Sequence, residues 1–281
     1  MRTTSLRDDH PRGGDAGRVP EFPAPPGDSG GRTGARTSPV GPVHLCGTWL
    51  AIHTTDQAAV LAALDLSGPV PVTMRQGEAA WNRDHHSWGL ARDDHRSHGR
   101  VYVAPAIDGW TLVFGTLPET AHIDPADRST WARRVQTLCA RLSTRFGATH
   151  LYGMSCGDAW TMWCLAEAGA VRRYYEAGSG ERLGGPHRAE DGYRLPDEDD
   201  ELPADAYDGI DPADVDAVMA RRAELFERHA LPEVCYATDI AASTSVDPSV
   251  FGPDTPVSGQ ALLALTACGR EHGVVPDPPG R

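Results

Sequence analysis

The 281-residue chain contains no lysine: all 26 basic residues are arginine, set against 39 Asp and Glu. The formal net charge is −13. Binding to a phosphate backbone needs a basic face, so nucleic acid is not an expected partner. Nothing approaches the roughly 18 consecutive apolar residues of a membrane-spanning helix, so no membrane partner is expected either. No apolar stretch follows Met1-Arg2, which argues against a secretion signal. The six cysteines (Cys46, Cys139, Cys156, Cys164, Cys235 and Cys268) are widely spaced and include no C-x-x-C pair. Without an export signal, reduced thiols and a cytoplasmic location follow. Most of these cysteines lie in apolar surroundings, where the thiol acts as a small hydrophobe.

Apolar residues are also scarce, at 40% of the chain, and the shortage has an address. Residues 1–43 hold 8 Gly and 7 Pro. Such a segment buries too little surface to offset the entropy of ordering it, so a disordered tail is expected there. The remainder reads as one domain over residues 44–270, with an acidic loop at 190–211 and a flexible end at 271–281. The acidic loop does not have the carboxylate and glycine offsets of an EF-hand.

What is present favours an α+β fold: a mostly antiparallel sheet with two or more packed amphipathic helices. Residues 100–105 (RVYVAP) and 110–116 (WTLVFGT) read as strands joined by Ala106-Ile107-Asp108-Gly109. Residues 45–53, 149–154, 159–166 and 170–176 read as further strands, the last two around Glu167-Ala168-Gly169. Val70 to Met74 reads as a short strand that Pro69 and Pro71 confine to an edge. Trp131, Val135, Leu138, Leu142 and Phe146 line one helical face, and Gly147 stops that helix. Asp211-Pro212 opens another helix. Residues 234–242 and 258–268 read as two more. Residues 77–99, polar and rich in histidine, read as loop.

Three motifs carry possible chemistry. Gly153-Met154-Ser155-Cys156-Gly157 fits the G-x-S-x-G nucleophile elbow, and Asp239 or Asp247 with His272 would complete a triad in the order Ser, acid, His. The bulky run from Trp160 to Trp163 reads as strand, however, where an elbow needs a helix. Within residues 84–98, His85, His86, His95 and His98 accompany three aspartates, and His85, His95 and His98 would be zinc ligands, although their spacing matches no ligand signature. Cys156 with His150 is a third pair, placed about 20 Å apart if both lie on one extended strand. Residues 178–184 do not fit a dinucleotide-binding loop. Trp49, Trp110, Trp160 and Trp163 read as core rather than as a ligand platform.

Five ordered blocks, Thr48-Trp49-Leu50-Ala51, Asp108-Gly109-Trp110-Thr111-Leu112, Leu142 to Gly147, Trp163 to Tyr175, and Ser245-Val246-Asp247-Pro248, resemble a family of uncharacterised bacterial proteins across about residues 44–250. The resemblance implies an independent domain and no particular reaction. Relative to that family, residues 84–98 look like an insertion, and the segment matching 153–157 need not carry the serine.

These readings favour a non-catalytic binding or regulatory module, of the kind that serves in immunity, whose partner is another protein or a small ligand. The alternatives are an α/β-class serine hydrolase using Ser155 and a metal-dependent enzyme using the loop from His85 to His98. No catalytic residue, cofactor or metal is assigned from the sequence.

Overall fold

An Asp-Gly pair reverses the chain where the sequence places it. Asp108 and Gly109 both adopt positive φ, 48° and 82°, as a tight hairpin turn requires. The strands that it joins are β3 (Arg100–Val103) and β4 (Thr111–Phe114), paired antiparallel. The computed structural model describes residues 43–86, 95–121, 128–157, 160–198, 202–203 and 205–276, all within the unit Ala35–Arg281. Among the described residues the other strands are β1 (Gly47–Ile52), β2 (Ser67–Val72), β5 (Ala148–Met154), β6 (Thr161–Glu167), β7 (Ala170–Glu176), β8 (Arg182–Leu183) and β9 (Ala261–Leu265). They form one sheet in the order β2-β9-β3-β4-β1-β5-β6-β7-β8, antiparallel at every pairing.

Period-two alternation in these strands sorts the side chains onto two faces. One face carries an unbroken row of rings. Tyr102 pairs with Phe114, Phe114 with Trp49, Trp49 with Tyr152, Tyr152 with Trp163, and Trp163 with Tyr175. Ring centroids are 5.4 Å apart for Tyr102–Phe114, 5.3 Å for Trp49–Tyr152 and 4.4 Å for Trp163–Tyr175. Such pairs add about 0.5–1.5 kcal/mol each beyond their area. A one-residue slip of any of these strands would send its ring to the opposite face, so the row fixes the register. Helices α2 (Met74–His85) and α6 (Ala237–Thr244) cover this face. The other face, with Leu50, Ile52, Val101, Val113 and Leu151, packs against α1 (Gln57–Ala63) and α4 (Arg128–Phe146).

Residues 77–85 and 96–99 are helical where a loop was expected, and residues 87–94 lie outside the described residues. Thr73 and Gln76 form a reciprocal capping box at the start of α2, the T-x-x-Q signature of a helix start. Met74, Gly77, Ala80, Trp81 and Asp84 then recur on its buried side. A four-residue helix, α3 (Arg96–Gly99), precedes β3. The C-terminal helix also shifts. Residues 261–265 are β9, between β2 and β3, and only Ala267–Glu271 is helical, as α7. Leu and Ala favour helix intrinsically, but burial between two strands overrides that preference. The helix α5 (Val215–His229) starts at Asp214 rather than at Asp211.

The expected tail lies outside the described residues except for Val43, which is buried and donates its amide to Pro248 O. Toward the other end Val274 N donates to Gly269 O and Arg100 to Val275 O, and residues 277–281 lie outside the described residues. The acidic segment is partly structural. Glu190 accepts from Arg173 Nε at 2.7 Å and from Trp163 Nε1 at 2.8 Å, and Asp197 accepts from Tyr175 Oη at 2.6 Å and from Arg182 at 2.9 Å. Among the described residues no helix is long and apolar enough to cross a membrane.

His150, on β5, is only 3% exposed, and its Nδ1 has no hydrogen-bond partner. Burial pulls its pKa down to about 4. Because the folded chain holds this imidazole neutral, its contribution is complete above the unfolded pKa of about 6.5 and is lost as pH falls from there toward 4, a change of about 3 kcal/mol. Urea unfolding between pH 7 and pH 4 is expected to show this loss. In His150→Gln the slope should fall by about one proton; an unchanged slope would contradict the assignment.

Candidate metal centre

The pairing of β3 with β9 brings together two segments that are far apart in the sequence. Arg100 opposes Leu265, so the residues just before β3 lie beside those just after β9. Thr266 joins them: its amide donates to Gly99 O at 3.1 Å, its hydroxyl donates to His98 O at 2.8 Å, and the same hydroxyl accepts from Gly269 N at 3.1 Å. Glycine permits the approach. A Cβ on Gly269 would overlap the carbonyl oxygen of Gly99, so α3 and α7 meet backbone to backbone. We expect Gly269→Ala to separate them and cost about 1–3 kcal/mol, read as a lower urea midpoint with unchanged slope; full stability in this variant would refute the close packing.

Helical spacing then aims the side chains. His95 and His98 are three apart and Cys268 and His272 four apart, so each pair shares a helix face. Ligand atoms of His95, His98 and Cys268 lie within 4.8 Å of one another. His95 Nδ1 is 3.2 Å from His98 Nε2 and 3.3 Å from Cys268 Sγ. His272 Nδ1 is 3.5 Å from the same sulfur, and its ring stacks on His95 at 3.5 Å. Zinc bonds of about 2.0–2.3 Å to N and S place tetrahedral ligands about 3.3–3.8 Å apart, and the observed separations fall in or near that range. Ser97 Oγ lies 3.1 Å from His98 Nδ1, which leaves Nε2 as the inward atom. Such outer partners fix the ring of a metal-binding histidine.

His95 Nδ1 faces a nitrogen at 3.2 Å and a sulfur at 3.3 Å. An imidazole nitrogen accepts one good hydrogen bond, not two. A cation at the centre would use every donor atom at once.

Of the sequence-predicted ligands, the structure brings His95 and His98 together and sends His85 elsewhere. His85 packs against Gly47, and burial lowers its pKa. The missed ligand is Cys268, whose thiol burial pushes up. Its only signal in the sequence is the C-x-x-x-H spacing to His272.

The hydrolase constellation is not assembled. His272 sits beside Cys268 and His95. Asp239 caps α6 by accepting from Tyr236 N, and Asp247 caps a 3-10 turn by accepting from Ser249 N. Ser155 Oγ accepts from Gly157 N at 3.3 Å. β6, which follows, pairs antiparallel with β5 and β7, where an elbow needs a helix. Gly153 has a packing role instead: a Cβ there would come within 2.7 Å of the Trp160 ring. His150 and Cys156 also stay apart, His150 under α6 and Cys156 exposed beyond the end of β5. No family model, curated protein or solved structure matches the chain.

Proposed function

We propose that the protein is a non-catalytic binding module whose small ligand is a divalent metal ion of the zinc class, held by His95, His98 and Cys268. The convergence of those donor atoms within 4.8 Å carries this reading. One thiolate with imidazole nitrogens is a zinc-type donor set, whereas Ca²⁺ and Mg²⁺ take oxygen ligands. His272, stacked on the His95 ring, donates from Nδ1 to Cys268 O and so stands outside the ligand set. The bound ion would clamp α3 to α7 and so tie the start of β3 to the segment after β9, a linkage suited to regulation by metal supply. Reduced thiols in the cytoplasm keep such a site competent, and all six cysteines are free thiols. The likeness of the five sequence blocks to uncharacterised bacterial proteins is part of this proposal and adds no reaction to it.

Elemental analysis tests the reading. The full chain, purified in reductant without chelator, is expected to retain zinc after gel filtration, and Cys268→Ser to lose about one equivalent. Equal zinc in both proteins would overturn it.

A further inference from the structure

A second group of donors lies at the same end of the sheet. His44 and Cys46 precede β1, Cys156 follows β5, and His86 follows α2. Gly47 pairs with Met154, so the residues flanking that pair come together as the strands leave the sheet. Ligand atoms of His44, His86 and Cys156 lie within 4.8 Å of one another. Cys46 Sγ is 3.3 Å from Cys156 Sγ and accepts the Cys156 amide at 3.5 Å. His86 Nδ1 donates to Asn82 O at 2.8 Å, which leaves Nε2 as its ligand atom. The His44 and His86 rings stand 5.5 Å apart.

We propose that His44, His86 and Cys156 form a second, independent metal site of one-thiolate, two-imidazole composition, a donor set of the zinc class, with the Cys46 thiol as an outer partner of Cys156. Three separate chain segments supply the ligands, and two of them are pinned by strand pairing, so most of the site is built before the ion arrives. The amide-to-sulfur contact at Cys46 and the carbonyl contact at His86 are outer-shell features that orient ligands. Binding releases the Cys156 thiol proton as the sulfur becomes a thiolate. The site also differs in access. His44 and Cys156 are exposed, whereas His95, His98 and Cys268 are half-buried. The second ion is therefore the one that a soluble chelator removes first.

Zinc content and free thiols of the full chain test this, after loading with Zn²⁺ in reductant and gel filtration. The wild type is expected to hold about two equivalents, and Cys156→Ser and His86→Ala about one each. His98→Ala should also hold about one, and combining it with Cys156→Ser should leave none. Because Cys156 is exposed, the serine variant is not expected to disturb the fold. If Cys156→Ser and His86→Ala both match the wild type, the second site is refuted, whatever His98→Ala does. It is refuted equally if Cys46 and Cys156 lose their thiols to each other and the loaded protein holds no zinc that depends on them. If Cys156→Ser loses an equivalent while His98→Ala loses none, the second site stands and the first falls.

Discussion

His98→Ala is expected to weaken zinc binding at the α3–α7 site by more than about 100-fold, because even outer-shell partners of metal ligands are worth about 10- to 100-fold. The imidazole is a direct ligand in this account, with Nε2 3.2 Å from His95 Nδ1. Ser97→Ala provides the graded comparison. It removes only the contact to His98 Nδ1 and should cost about 10-fold. Competition with a chromophoric chelator reads both. Affinities that agree within error for wild type and His98→Ala would remove the site, and a larger loss from Ser97 than from His98 would reverse their roles.

The second large effect lies at β7, toward the opposite edge of the sheet from β3 and β9. Glu190→Ala is expected to destabilise the fold by about 3–5 kcal/mol, the cost of leaving a buried charge uncompensated. The side chains of Arg173 and Glu190 are 3% and 5% exposed, with Nε and Oε1 2.7 Å apart. Glu190 Oε1 also accepts from Trp163 Nε1, and Oε2 from His187 N. Removing the carboxylate therefore strands a guanidinium, an indole N–H and a backbone amide together. For a chain of this size, that amounts to a fall in melting temperature of about 10 °C. Glu190→Gln keeps acceptor capacity and should lie between wild type and alanine. A loss under about 1 kcal/mol for the alanine variant would show the pair to be as weak as a surface ion pair.

The central sheet was legible because its local signals agree. Asp108-Gly109 marks a turn, Gly147 a helix stop, and Ala170 to Glu176 a strand, and each appears in the structure as read. Other elements were hidden by composition. Arg83, Asp84 and the histidines made 77–99 look like polar loop, although Thr73 and Gln76 already announced a helix. The Ala-Leu run 261–265 looked helical because nothing local reveals that two strands will flank it. That misreading also hid the site. With residues 258–268 as a helix there is no reason to place Cys268 beside His98, 170 positions earlier. Only the β3–β9 pairing supplies the contact. His272 was noticed for the wrong partner, because the order Ser, acid, His is a pattern along the chain whereas a triad is a pattern in space. The second donor group was concealed in the same way, since no spacing rule connects residue 44 or 46 with 86 and 156.

Anomalous scattering at the zinc absorption edge, from crystals of the full chain grown with reductant and stoichiometric Zn²⁺, tests the central claim most directly. The account predicts a strong peak about 2.0–2.3 Å from His95 Nδ1, His98 Nε2 and Cys268 Sγ. A map without a peak there, in which those atoms contact only one another, would contradict it.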